Sequence, residues 1–150
     1  MKHQNALQEL IDENLPLLSI KIEQRELWIE NGVIEAGSNE QTELGLNWLD
    51  TVYDLVLAVD DLENVNSSLL MLLVHRFVSD LGDNKMGPLD FTVSPNDETT
   101  LDVEFRVRVR ESLHLVPVEN SPIEIRGQKM GFGDSEFTVA ESLGSIDVNR

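Results

Sequence analysis

Leu101-Asp102-Val103-Glu104-Phe105-Arg106-Val107-Arg108-Val109-Arg110 decides the fold. Apolar and charged side chains alternate without a break, and successive side chains of a strand point to opposite faces. The segment is therefore a strand with one face in a core and the other in water, the habit of an antiparallel sheet. On the wet face Arg106, Arg108 and Arg110 form the single basic row of the chain. Upstream, Leu89-Asp90-Phe91-Thr92-Val93-Ser94 alternates in the same way, and Pro95-Asn96-Asp97 supplies a turn between the two strands.

Further upstream the periodicity changes. Asn66 and Ser67 offer an N-cap, residues 69–81 carry an apolar load, and Gly82 follows as a left-handed stop, which brackets a helix. His75 and Arg76 mark the exposed edge of that helix near its C-terminal end. Leu7, Leu10, Ile11 and Leu15 recur at spacings of three and four, so residues 4–15 predict a first amphipathic helix that ends at Pro16. Ile20-Lys21-Ile22-Glu23 alternates as a short strand. Leu27-Trp28-Ile29-Glu30 and Val33-Ile34-Glu35-Ala36 flank Asn31-Gly32, a pair suited to a tight hairpin turn. Residues 37–42 read as a polar loop and residues 44–59 as a long strand with Trp48, Thr51, Val52, Tyr53 and Val56. Trp28 and Trp48 fall in strands and read as core or interface anchors.

Beyond Glu111 prolines and glycines loosen the pattern, and only residues 123–125 and 136–139 predict short strands. The expected organisation is a domain over residues 1–118 followed by a C-terminal arm over residues 119–150. The expected class is α+β, with two helices packed on one face of a mainly antiparallel sheet.

The chain has 150 residues, 41% apolar and 26% charged, enough for one packed core. Its 11 basic and 28 acidic side chains give a net charge of -17, which disfavours nucleic acid as a partner. Residues 1–100 hold 5 of the basic and 19 of the acidic groups. Cysteine is absent, which excludes disulfides, thiolate metal sites and thiol nucleophiles. The start Met1-Lys2-His3-Gln4 has no apolar signal run, and the longest apolar stretch, residues 69–74, is far shorter than a membrane span. The chain reads as soluble, unexported and without membrane contact.

No set of residues converges on chemistry. His3, His75 and His114 stand apart, and none belongs to a metal-spaced cluster. Ser112 near His114 lacks the shaped turn of a nucleophile. Asp60, Asp61 and Glu63 lack the spacing of a calcium loop and read as solvated acids. Gly131-Phe132-Gly133-Asp134 has no lysine or helix after it and reads as a flexible loop. The expected cofactor set is none, and the expected class is not an enzyme.

Two segments are too apolar for one layer to cover. Residues 69–74 are apolar around the whole helix, and residues 55–59 are apolar on both strand faces. The second side of each awaits either the C-terminal arm or another subunit. The arginine row has two uses open to it: a ladder with carboxylates of a neighbouring strand, such as Asp50 and Asp54, or contact with an acidic partner.

In order, spacing and character, the stretch Leu27 to Gly37, the strand around Tyr53-Asp54-Leu55-Val56-Leu57-Ala58-Val59-Asp60-Asp61, the helix at 69–81, and Leu89-Asp90-Phe91 with Asn96-Asp97 and residues 101–110 resemble the tail completion protein R family of contractile-tailed temperate phages. The resemblance covers about the first 115 residues. It implies a structural protein of the virion tail, assembled in the host bacterial cytoplasm, that caps the head-proximal end of the tail tube and prepares it for the head. It also implies a ring, a hexamer in related terminators, with the tail tube protein and a head-completion or connector protein as partners. A closed ring joins unlike patches of neighbouring subunits. Arg106, Arg108 and Arg110, with Met71 and Leu72 as the apolar complement, are the expected contacts to subunit or tube. The competing reading, from charge, is an acidic binding module or DNA mimic that grips a basic protein and releases it at moderate salt.

Overall fold

The computed structural model describes residues 1–132. Its elements, in chain order, are α1 (Lys2–Glu13), α2 (Leu15–Leu18), β1 (Arg25–Ala36), β2 (Gln41–Thr42), β3 (Gly45–Glu63), α3 (Ser67–Asp80), β4 (Asp90–Pro95), β5 (Thr100–Pro117), β6 (Ile123–Ile125) and β7 (Gln128–Phe132). The class is α+β, and residues 101–110 form a strand as their alternation predicts. Two compact units share the chain: Met1–Val33 with Val52–Glu111, and Ile34–Thr51 with Ser112–Arg150.

In the first unit the strands run in the order β1, β3, β5, β4. Phe91 pairs with Phe105 and Val93 with Val103, so the inward parity of β5 continues into β4. Val103, Phe105, Val107 and Val109 are buried on that face with Tyr53, Leu55, Leu57 and Val59 of β3. Helix α1 lays His3, Leu7 and Ile11 on the sheet, one residue per turn, and α3 adds Leu70, Val74, Phe77 and Val78. In the second unit β2 and β3 pair as Gln41 with Leu46, while β7 sits between β5 and β6. Leu46, Leu115 and Met130 form its small core. There Gly45, at φ 121°, lies where an added Cβ would sit 2.5 Å from the Leu115 carbonyl oxygen, so the crossing requires glycine.

Five local expectations are corrected. Asn31-Gly32 does not reverse the chain. Strand β1 runs unbroken through it, and Asn31, at φ 54°, makes a left-handed bulge held by its amide donating to the Asp54 carboxylate at 2.9 Å. The alternation at residues 20–23 is not a strand: Ile22–Gln24 is a 3-10 turn in which the Gln24 side chain accepts from the Lys21 amide. Pro16 does not mark the helix end, because α1 already stops at Glu13 and Pro16 stands in the first turn of α2, where a missing N–H is harmless. Asn66 occupies the N-cap position of α3, but its amide donates to the Leu18 carbonyl instead of capping. Gly82 is left-handed after α3, as predicted. Gly131 and Phe132 belong to β7 and not to a loop, while Gly133, Asp134 and the strand expected at 136–139 lie outside the described residues.

Candidate functional site

The arginine row lies on the face of β5 turned away from α3, because residues 106, 108 and 110 have the opposite parity to the buried valines. Arg106 donates to Glu30 of β1 at 2.8 Å and lies 3.4 Å from Asp54 of β3, and Arg108 donates to the other Asp54 oxygen at 3.0 Å. Arg108 also reaches the Asn31 carbonyl at 3.2 Å, and Trp28 donates its indole N–H to Glu30 at 2.7 Å. Three strands are thus tied by one ladder of charge-assisted bonds. Glu30 is held below the usual carboxylate range by the Trp28 bond and then by Arg106. For Asp54, burial works to raise the pKa, and the bonds from Asn31 and Arg108 with the charges of Arg108 and Arg106 outweigh it, leaving the pKa lowered.

Two apolar residues beside the ladder are covered. Val52 and Val56 flank Asp54 on this face and are buried. Of the two carboxylates expected as partners, Asp54 serves both Arg106 and Arg108. The side chain of Arg106 is still 38% exposed, so the ladder remains open to a partner.

On α3 the ring of apolar residues divides. Leu70 and Val74 face the core, Met71 is half-buried beside a small apolar crevice with Val93 and Phe105, and Leu72 is 63% exposed. Leu72 lies two residues from Leu70, about 200° around the helix, and nothing among the described residues covers it. The five residues expected at the contact therefore do not form one patch. The arginines lie on one face of the sheet, and Met71 and Leu72 belong to the helix on the other.

Glu111 escaped the sequence reading. It has the same parity as Val103 to Val109, which is the signal that would have found it, and it is only 3% exposed. It accepts from the Tyr53 hydroxyl at 2.8 Å and from the Lys2 amide at 3.1 Å, closing the start of α1 onto the sheet. His3 Nε2 lies 2.8 Å from the Arg110 carbonyl oxygen, which can only accept, so that nitrogen carries the proton. His75 is exposed on α3. Asp61 and Asp102 are bridged by the Asn96 amide, and burial with Asp102, Asp61 and Glu26 nearby raises Asp60. Among the described residues no three His, Asp or Glu side chains are grouped to hold a metal ion, and no helix is long and apolar enough to cross a membrane.

A polar ladder on one face and an uncovered leucine on the other are the features of an assembly component, and the comparison with known families agrees. The sequence model of the P2 phage tail completion protein R (GpR) family matches residues 1–130. The chain belongs to this family. No curated protein and no solved structure matches it significantly. Membership of the GpR family makes the chain a structural component of the phage tail, and it extends the likeness past residue 115 through β6 and into β7.

Proposed function

We propose that this GpR protein closes the head-proximal end of the tail tube as a ring of identical copies, six in number, and presents the outer side of that ring to the head-completion or connector protein. It works by assembly alone, and it joins the virion in the host cytoplasm. The observation that carries the reading is the family match over residues 1–130, and the placement of the two expected contact sets supports it. Contacts between unlike patches generate a ring when the rotation closes, and this chain carries unlike patches on opposite faces of one sheet. Leu72 and Met71 supply the apolar side of the contact. Arg106 and Arg108, fixed by Glu30 and Asp54, supply the other side as an oriented ladder, with Arg110 at its end.

The test is Leu72→Lys in a phage that lacks its own tail completion protein. Leu72 is exposed, so the variant should melt within a degree or two of the parent, while complementation should fail. The expected products are tails without heads and tubes of uneven length by negative stain. Normal virions from Leu72→Lys, and from the further variant Met71→Lys, would overturn the contact.

A further inference from the structure

Helices α1 and α3 of the first unit enclose a groove whose lining includes none of the residues proposed for the ring contact. Its volume is about 570 Å³. Its apolar lining comes from Leu10 and the buried Phe77 and Leu81, and the small side chain of Ala6 stands exposed among them. The banks are charged unevenly: Glu9 and Glu13 stand on α1 and Asp80 on α3, against the single cation Arg76. His3 at the inner end is already bonded to the Arg110 carbonyl oxygen, and Asp12 beside the groove is held by Arg25 at 2.8 Å. The charge that faces an incoming partner at the groove is therefore that of Glu9, Glu13 and Asp80, offset in part by Arg76.

We propose that this groove seats a basic amphipathic helix of another tail protein. An apolar floor between two helices takes the apolar stripe of a third, in the manner of helix-in-groove recognition. Lysine and arginine on the flanks of that helix lay their stems along the walls and bring their charges to the carboxylates. Charge also decides where the occupant comes from. The two long helices among the described residues, α1 and α3, hold only Lys2 and Arg76 as permanent cations beside their acids, so neither gives a second copy a helix of the required sign. Such complementarity speeds docking and rejects acidic competitors. The inference borrows from the tail-completion reading only that the partner is a tail protein, and it does not depend on ring closure.

The experiment titrates the purified full chain into a fluorescent leucine–lysine amphipathic helix and follows anisotropy, with a leucine–glutamate helix of equal length as control. The lysine peptide should bind about tenfold or more tightly than the glutamate peptide. Glu9→Lys with Glu13→Lys should weaken it about tenfold, whereas Glu40→Lys with Glu43→Lys, an equal charge change at exposed positions of the other unit, should weaken it less than about twofold. Ala6→Trp fills the mouth without altering charge, and it should weaken binding as the first pair does. Equal weakening by the two charge pairs would mean general attraction to an acidic protein and would overturn the groove, as would full binding by Ala6→Trp. Light scattering on the same variants keeps the outcomes apart: peptide binding that persists where rings are lost counts against ring closure alone.

Discussion

Glu111 shows how one side chain fastens three elements. By parity it belongs among the buried valines of β5, and a carboxylate there needs donors on every side. Tyr53 from β3 and the Lys2 amide at the start of α1 provide them. Burial, and after it the adjoining Glu111, push the Tyr53 hydroxyl far above its ordinary value of about 10. The sign of the linkage follows. The raised value favours the neutral phenol in the folded protein, so its stabilisation is complete below about pH 10, where the unfolded tyrosine ionises, and is lost as pH climbs above that. The chain has one tyrosine, which makes the reading clean. Tyrosinate absorbance should stay flat on alkaline titration and then rise in one step with the loss of far-ultraviolet circular dichroism. Tyr53→Phe should lower stability at neutral pH by about 1–3 kcal/mol, since Glu111 loses a buried partner. A gradual ionisation near pH 10 with the fold intact would contradict the account.

At the scale of elements, β1 holds the main lesson. Asn31 and Gly32 invite a positive φ, and both a tight hairpin turn and a bulge satisfy that preference. The local sequence is the same for either, and what selects the bulge is distant: Asp54 receives the Asn31 amide, and the long strand β3 offers β1 a partner along its length. Asn31→Gly should cost about 1 kcal/mol, the lost hydrogen bond. Asn31→Val should cost about 1–3 kcal/mol more in urea unfolding, because a β-branched residue is strained at φ 54°. Equal stability of the two would argue against the bulge. Elements with many repeats of one period were legible. Strand β5 announces itself through ten alternating residues, and α3 through its apolar stripe and left-handed Gly82. Residues 20–23 have too few repeats to separate a strand from a 3-10 turn, and the decisive Gln24 bond comes from a side chain. The site was half legible for the same reason. Parity puts the arginines on one face, and Asp54 is one of the two neighbouring-strand carboxylates, with Asp50, expected for a ladder. A chain reversal at Asn31-Gly32 gives Glu30 no defined place beside β5, and only the unbroken β1 brings it to Arg106.

At the scale of the whole molecule, charge and apolar surface are apportioned for assembly. A protein of net charge -17 repels its own kind at long range, so copies associate only where short-range contacts outweigh that repulsion. Leu72 and Met71 provide apolar contact, and the ladder provides fixed donors and acceptors on the opposite face of the sheet. Salt should therefore promote self-association by screening the net charge. An acidic mimic behaves in the reverse way, since salt weakens its grip on a basic partner. The most direct measurement is the mass of the purified protein by size-exclusion chromatography with light scattering, across concentration and salt, alone and with isolated tail tubes, followed by negative stain. The account predicts a six-fold species that grows with salt and sits as a cap at one end of each tube. A chain that stays monomeric under all these conditions and leaves both tube ends bare would contradict it.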